Sequence, residues 1–138
     1  MPVLLLWLVA GCGGAGSDDT ASYAVGEQDV ATDGGTWTVH WSPSPDPIPL
    51  NEVFSIDATV LDGSGAPVVD ASLVANAGMG SHGHGMNTVP ETTAGGDGTF
   101  LIEGMLFHMT GAWQITFDIT QGDQLERATA EVTCCATP

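Results

Sequence analysis

Beyond residue 36, apolar and polar residues alternate with a period of two, the pattern that puts one set of side chains on a buried face and the other in water. The run "EVFSIDATVLD" sets Phe54, Ile56, Ala58 and Val60 on one side and Ser55, Asp57 and Thr59 on the other, which predicts a half-buried strand. "AWQITFDIT" repeats the pattern with Trp113, Ile115, Phe117 and Ile119, and the turn residues of "QGDQ" lead into "LERATAEVT". The last two runs therefore predict a hairpin. Further extended runs are "TWTVHW" at 36–41, cut off by the prolines of "SPSPDPIP", then "VVDASLVAN" after "DGSGAP", and "TFLIEGML" after "GGDG". About six or seven short strands without an amphipathic helical stretch predict an all-β immunoglobulin-like β-sandwich, with a small barrel as the alternative.

Composition agrees with one such domain. The 138 residues suffice for a single core, and the 19 glycines and 8 prolines leave little room for long helices. The formal charge of −16 arises from 17 acidic residues against one base, Arg127, so a nucleic-acid partner is excluded by phosphate repulsion. Repeats, phosphate-binding loops, dinucleotide fingerprints and nucleophile elbows are missing from these strands, and a non-enzymatic protein is expected.

Ahead of the strands, Val3–Ala10 is an apolar run too short to span a bilayer and of the right length for a secretory signal. Val9-Ala10-Gly11-Cys12 resembles a bacterial lipobox, which implies lipidation at Cys12 and a membrane anchor. The missing basic residue before the run is read as a start placed too far downstream. Gly13, rather than aspartate, after the cysteine resembles sorting toward an outer membrane. Residues 12–35 contain Asp18, Asp19, Glu27, Asp29 and Asp33 among small polar residues and predict a flexible acidic tether. The expected organisation is a signal segment at 1–11, the lipidated Cys12 and tether at 12–35, the sandwich at 36–133 and a tail at 134–138.

Two segments carry soft and imidazole donors. "NAGMGSHGHGMNTVP" holds Met79, His82, His84 and Met86 without a charged side chain, and "GMLFHMTG" holds Met105, His108 and Met109. Residues two apart on an extended segment point the same way, so His82, His84 and Met86 are able to face one side. Thioether sulfur favours Cu(I) and imidazole accepts several ions, so copper, preferably Cu(I), accounts for both donor types; zinc, calcium and magnesium rank lower. Each methionine taken alone reads more readily as a core filler than as a ligand, Met109 packing on Trp113. His40 reads as a structural histidine of its strand. Cys134 and Cys135 are adjacent, and a trans peptide would hold their Cα atoms at about 3.8 Å, short of the usual disulfide range, which leaves free thiols, an intermolecular bridge or an auxiliary soft-metal site, with a disordered, incidental tail as the expectation.

"MGSHGHGMNTVPE" followed by "GDGTFLIEGMLFHMTGAWQITFDIT" resembles the YtkA-like domain, related to FixH-type proteins, over roughly residues 41–133. The resemblance implies a small extracytoplasmic β-sandwich, often membrane-anchored, with some relatives tied to copper handling or respiratory oxidase assembly. Met79, His82, His84, Met86, His108 and Met109 match its motif positions, while Gly80 stands where proline is frequent. The expected function is a periplasm-facing lipoprotein of the cell envelope that binds copper as a chaperone or buffer and passes it to a membrane protein. The alternative is a metal-free interaction module of a membrane-associated complex.

Overall fold

The computed structural model describes residues 23–135. The signal segment, Cys12 and the first part of the expected tether lie outside the described residues. Among the described residues, no helix is long and apolar enough to cross a membrane.

The strands are β1 (Gln28–Ala31), β2 (Thr38–Ser44), β3 (Val53–Leu61), β4 (Ser72–Met79), β5 (His84–Gly85), β6 (Glu91–Ala94), β7 (Thr99–Leu106), β8 (Gly111–Gln121) and β9 (Gln124–Cys134). They form two antiparallel sheets, ordered β1-β2-β3-β7-β6 and β5-β4-β8-β9. The predicted all-β sandwich is the observed fold. Phe54, Ile56, Ala58 and Val60 of β3 are buried, as are Trp113, Ile115, Phe117 and Ile119 of β8. Trp41 of one sheet meets Phe117 of the other with ring centroids 5.8 Å apart. The β8–β9 hairpin runs in register from Gly111↔Cys134 to Gln121↔Gln124.

Four details depart from the sequence expectation. The strands outnumber the six or seven expected, because β1, β5 and β6 span only four, two and four residues and show no period to read. The domain does not start at residue 36: β1 lies inside the expected tether and pairs with β2 from Gln28↔Trp41 to Ala31↔Thr38. Its acidity misled, since Asp29 faces outward and bonds His40 Nδ1 at 2.7 Å while Val30 packs on the core. β2 also continues past Trp41 through Pro43, where β1 no longer flanks it and a missing backbone donor is tolerated. Finally, the first two residues of the expected tail are part of the core, residues 136–138 lying outside the described ones: Cys134 closes β9, Cys134 and Cys135 are 3% and 2% exposed, and the two are joined as a vicinal disulfide. The trans peptide assumed from sequence is a cis one, which sets their Cα atoms 3.1 Å apart.

One irregularity fixes which residues of β7 face inward. Phe54 pairs with Met105 but Ile56 pairs with Ile102, so Glu103 and Gly104 together oppose Ser55. Gly104 adopts φ +84°, the left-handed conformation that such a bulge needs and that glycine takes without steric cost. The extra residue shifts the alternation, so Phe100 and Ile102 before it and Met105 and Phe107 after it are all buried. His108 is thereby left at the rim of the sandwich, half-buried.

At the opposite end a carboxylate ties the sheets together. Glu126 of β9 accepts hydrogen bonds from Thr32 Oγ1 and Thr36 Oγ1, both at 2.5 Å, from Thr36 N at 3.2 Å and from Gln124 Nε2 at 2.8 Å. These donors hold its carboxyl down from the usual 4.5 to about 2, the Thr32 hydroxyl having the largest effect. A carboxyl with a lowered folded-state pKa adds stability above its unfolded-state value and loses it as pH falls through the folded-state one. Glu126→Gln is therefore expected to lower stability near neutral pH, with the gap from the wild type closing as pH drops from 4.5 to about 2. Denaturant midpoints across that range check this, and a gap that ignores pH contradicts it.

Candidate metal centre

The two donor segments meet at one end of the sandwich. The first is the reversal from β4 into β5, where the amides of His82 and Gly83 both donate to Met79 O, at 3.1 and 3.0 Å, and close the turn. Gly83 takes φ +66° there, and His84 then pairs with Met79. The second is the connection from β7 to β8, which carries His108 and Met109.

Between them stands Trp113, fully buried on β8. Its indole stacks on Phe107 with centroids 4.3 Å apart and planes 8° from parallel. Its Nε1–H donates to Met109 O at 2.9 Å, which ties the second segment down. Both His84 and His108 stand edge-on to it, with centroids at 6.3 and 5.5 Å. The imidazoles are thus gathered: His82 and His84 lie 5.8 Å apart, and His84 and His108 lie 5.2 Å apart. An imidazole nitrogen sits at about 2.0–2.1 Å from a bound metal, so two rings on one ion keep their centroids within roughly 6.4 Å. Both pairs satisfy that limit.

His84 Nδ1 lies 3.3 Å from Gly85 O, an acceptor only, so in the tautomer that carries its proton on Nδ1 the ring is held by this bond and Nε2 faces away from it. His108 Nδ1 is buried without a hydrogen-bond partner, and such an orphaned group costs about 1–3 kcal/mol. In the tautomer that leaves Nδ1 unprotonated, a soft cation on its lone pair would remove that cost. Among the described residues, no set of three or more His, Cys, Asp or Glu side chains is placed to hold one ion, so a centre here depends on imidazole pairs completed by sulfur.

The methionines divide. Met86 is half-buried and its Sδ accepts the Leu106 amide at 3.4 Å, which joins the two segments directly. Met79 is buried at the end of β4, and its Cε lies 2.9 Å from where a Cβ on Gly111 would stand. Met109 is 37% exposed beside His108. Met105 instead fills the core: it is fully buried opposite Phe54, the role that its period in the strand allowed. His40 stays apart on the outer face of the other sheet, paired with Asp29, as expected of a structural histidine. A depression of about 320 Å³ opens beside His84, lined also by Gly78, Gly83, Gln114 and Thr116.

A family model described as YtkA-like matches residues 31–118. The chain belongs to the YtkA-like family. No curated protein and no solved structure matches it. The YtkA-like span contains every imidazole and thioether of the cluster and ends within β8, so Cys134 and Cys135 lie beyond it. Sequence reading placed Trp113 on a buried face but missed it as the support of the cluster; an indole four residues after Met109, beside a histidine, was the available signal.

Gly111 at φ +130° leaves the space that the Met79 methyl occupies. Gly111→Ala is expected to destabilise the domain by about 1–3 kcal/mol through backbone strain and displacement of Met79. Urea denaturation measures it, and an unchanged midpoint contradicts the close approach.

Proposed function

We propose that this YtkA-like domain binds copper, in the Cu(I) state, through the His84–His108 imidazole pair completed by thioether sulfur from Met79, Met86 and Met109, with His82 beside His84 as the alternative imidazole partner. The single observation that carries the reading is the meeting of His84 and His108 at 5.2 Å on one indole, with a buried and unpartnered imidazole nitrogen in His108. Thioether and imidazole together suit a soft d10 ion better than the hard cations, which prefer carboxylate oxygen. The domain acts as a chaperone or buffer without catalysis: it gathers imidazole and thioether donors on one indole and excludes bulk water from Met79.

Location follows the same proposal. The signal segment and Cys12 make the protein an envelope lipoprotein facing the periplasm, at the outer membrane by its Gly13, and the acids of residues 12–27 hold the domain off the surface. The recipient is a copper-dependent membrane protein, with respiratory oxidase assembly the context that the family resemblance suggests. The second reading, a metal-free interaction module, is favoured by the lack of a three-membered His, Cys, Asp or Glu set among the described residues.

Anaerobic titration of the full chain with Cu(I) against a chromophoric chelator separates the two. A single ion per chain is expected, with affinity falling by roughly 10- to 100-fold in His82→Ala/His84→Ala and in His108→Ala. Unchanged affinity in these variants rejects the centre, and a stoichiometric partner co-purified with metal-free protein supports the second reading.

A further inference from the structure

We infer that the domain meets the bilayer end-on, with the His/Met cluster toward the lipid and the acidic turns away from it. The inference rests on the anchor at Cys12 proposed above and names the surface that the anchor brings to the membrane. The described chain enters the sandwich at the cluster end. Asp46, in the connection from β2 to β3, accepts the amides of Val25 and Gly26 at 2.8 and 2.7 Å and pins the entry segment there. The same connection lies against the cluster: Leu50 bridges Phe107, and Asn51 N donates to Phe107 O at 2.9 Å, one residue before His108. Positions 12 and 23 are eleven residues apart, so at about 3.3–3.6 Å each the anchor lies within roughly 40 Å of this end. The two ends are themselves well separated, since the 11 residues of β8 span roughly 36 Å.

Charge and apolar exposure divide between the ends. Every turn at the far end carries an aspartate: Asp33 between β1 and β2, Asp62 and Asp70 between β3 and β4, Asp97 between β6 and β7, and Asp123 between β8 and β9. At the cluster end, the connections from β4 to β5, β5 to β6 and β7 to β8 hold no Asp, Glu, Lys or Arg. Asp46 there is engaged by two amides, which leaves Glu27 and Glu52. Exposed apolar side chains gather instead. Tyr23 lies two residues before the pinned Val25, Val53 pairs with Leu106, Val89 lies beside Gly104, and Met109 follows His108; Val53 and Val89 are 60% and 88% exposed. Single exposed apolar residues are ordinary, so the weight falls on their gathering where the chain enters and opposite the aspartates. Tyrosine and aliphatic side chains suit the headgroup region, whereas the negative potential of anionic lipid repels carboxylates. That potential decays over about 8 Å at physiological ionic strength, so an end-on domain keeps its turn aspartates beyond it and an inverted one immerses them. Asp18 and Asp19 of the tether oppose close adsorption, so contact is intermittent and the fold sets its direction.

The test uses the acylated full chain, purified from membranes and reconstituted in nanodiscs of anionic lipid with a small share of lipid carrying a gadolinium chelate on its headgroup. Intact mass verifies the acyl groups. Native methyl groups report on both ends: Val53, Val89 and Met109 at the cluster end, Val69 and Leu125 at the other. Because paramagnetic broadening falls steeply with distance and the ends lie about 36 Å apart, the first group is expected to broaden roughly 10-fold more than the second. Equal broadening at the two ends, broadening led by Val69 and Leu125, or none at either end overturns the orientation while leaving the anchor standing. Shifts at Val53, Val89 and Met109 that grow with protein concentration before lipid is added make the patch an interface between copies, which also overturns it. A chain recovered without acyl groups removes the anchor and the inference with it. No metal is added, so the outcome is independent of the copper reading.

Discussion

The buried indole of Trp113 is the constraint on which the cluster depends. Indole and phenyl stacking with Phe107 fixes the end of β7 against β8, and the Nε1–H bond to Met109 O fixes the connection between them. Phe107 itself faces inward only because the bulge at Gly104 shifts the alternation of β7 by a residue. Remove the left-handed glycine, and the strand either loses its pairing to β3 or turns Phe107 outward. The position of His108 is thus a consequence of a backbone irregularity four residues earlier, carried to the rim by an aromatic stack.

Much of the fold was legible because burial in a sandwich is written with a period of two. Phe54, Ile56, Ala58 and Val60, and likewise Trp113 to Ile119, alternate cleanly because both neighbouring strands hold them flat against the other sheet. β1, β5 and β6 were not legible. They sit at sheet edges and are too short to show a period, although each pairs with the strand next to it in sequence. The donors were legible as chemistry, since histidine between glycines and flanked by methionine in an uncharged stretch is poorly explained by packing. Their meeting was not legible, because it depends on β4 and β8 lying side by side and on the phase shift at Gly104, neither of which is local. Met105 illustrates the converse: the same sulfur chemistry is committed to the core by its register opposite Phe54. The burial of the cysteine pair was not legible, because it depends on β9 running the full length of β8 and ending at Cys134 inside the sandwich.

Electrostatics divides the molecule in a similar way. The charge of −16 draws cations of every kind toward the surface, and Arg127, the chain's one base, is taken up by Asp118 through bonds of 2.6 and 2.8 Å. That pairing lowers the Asp118 carboxyl, chiefly through its hydrogen bond from Arg127, and raises the guanidinium. The donor segment from residue 76 to 90 has no charged side chain. In the proposed reading, long-range attraction and local selection are therefore separate: the acids concentrate cations without discrimination, and the sulfur and imidazole groups would discriminate by softness.

The central claim is that imidazoles from two distant segments converge on one ion. Long-range proton–nitrogen spectra of the histidine rings, recorded as one equivalent of Cu(I) is added, test it most directly, with His40 as an internal control on the far sheet. The account predicts that ring nitrogens of His84 and His108 shift together while those of His40 stay in place. Shifts confined to His82, or no shift at His108, would show that the segments lie side by side without sharing a ligand.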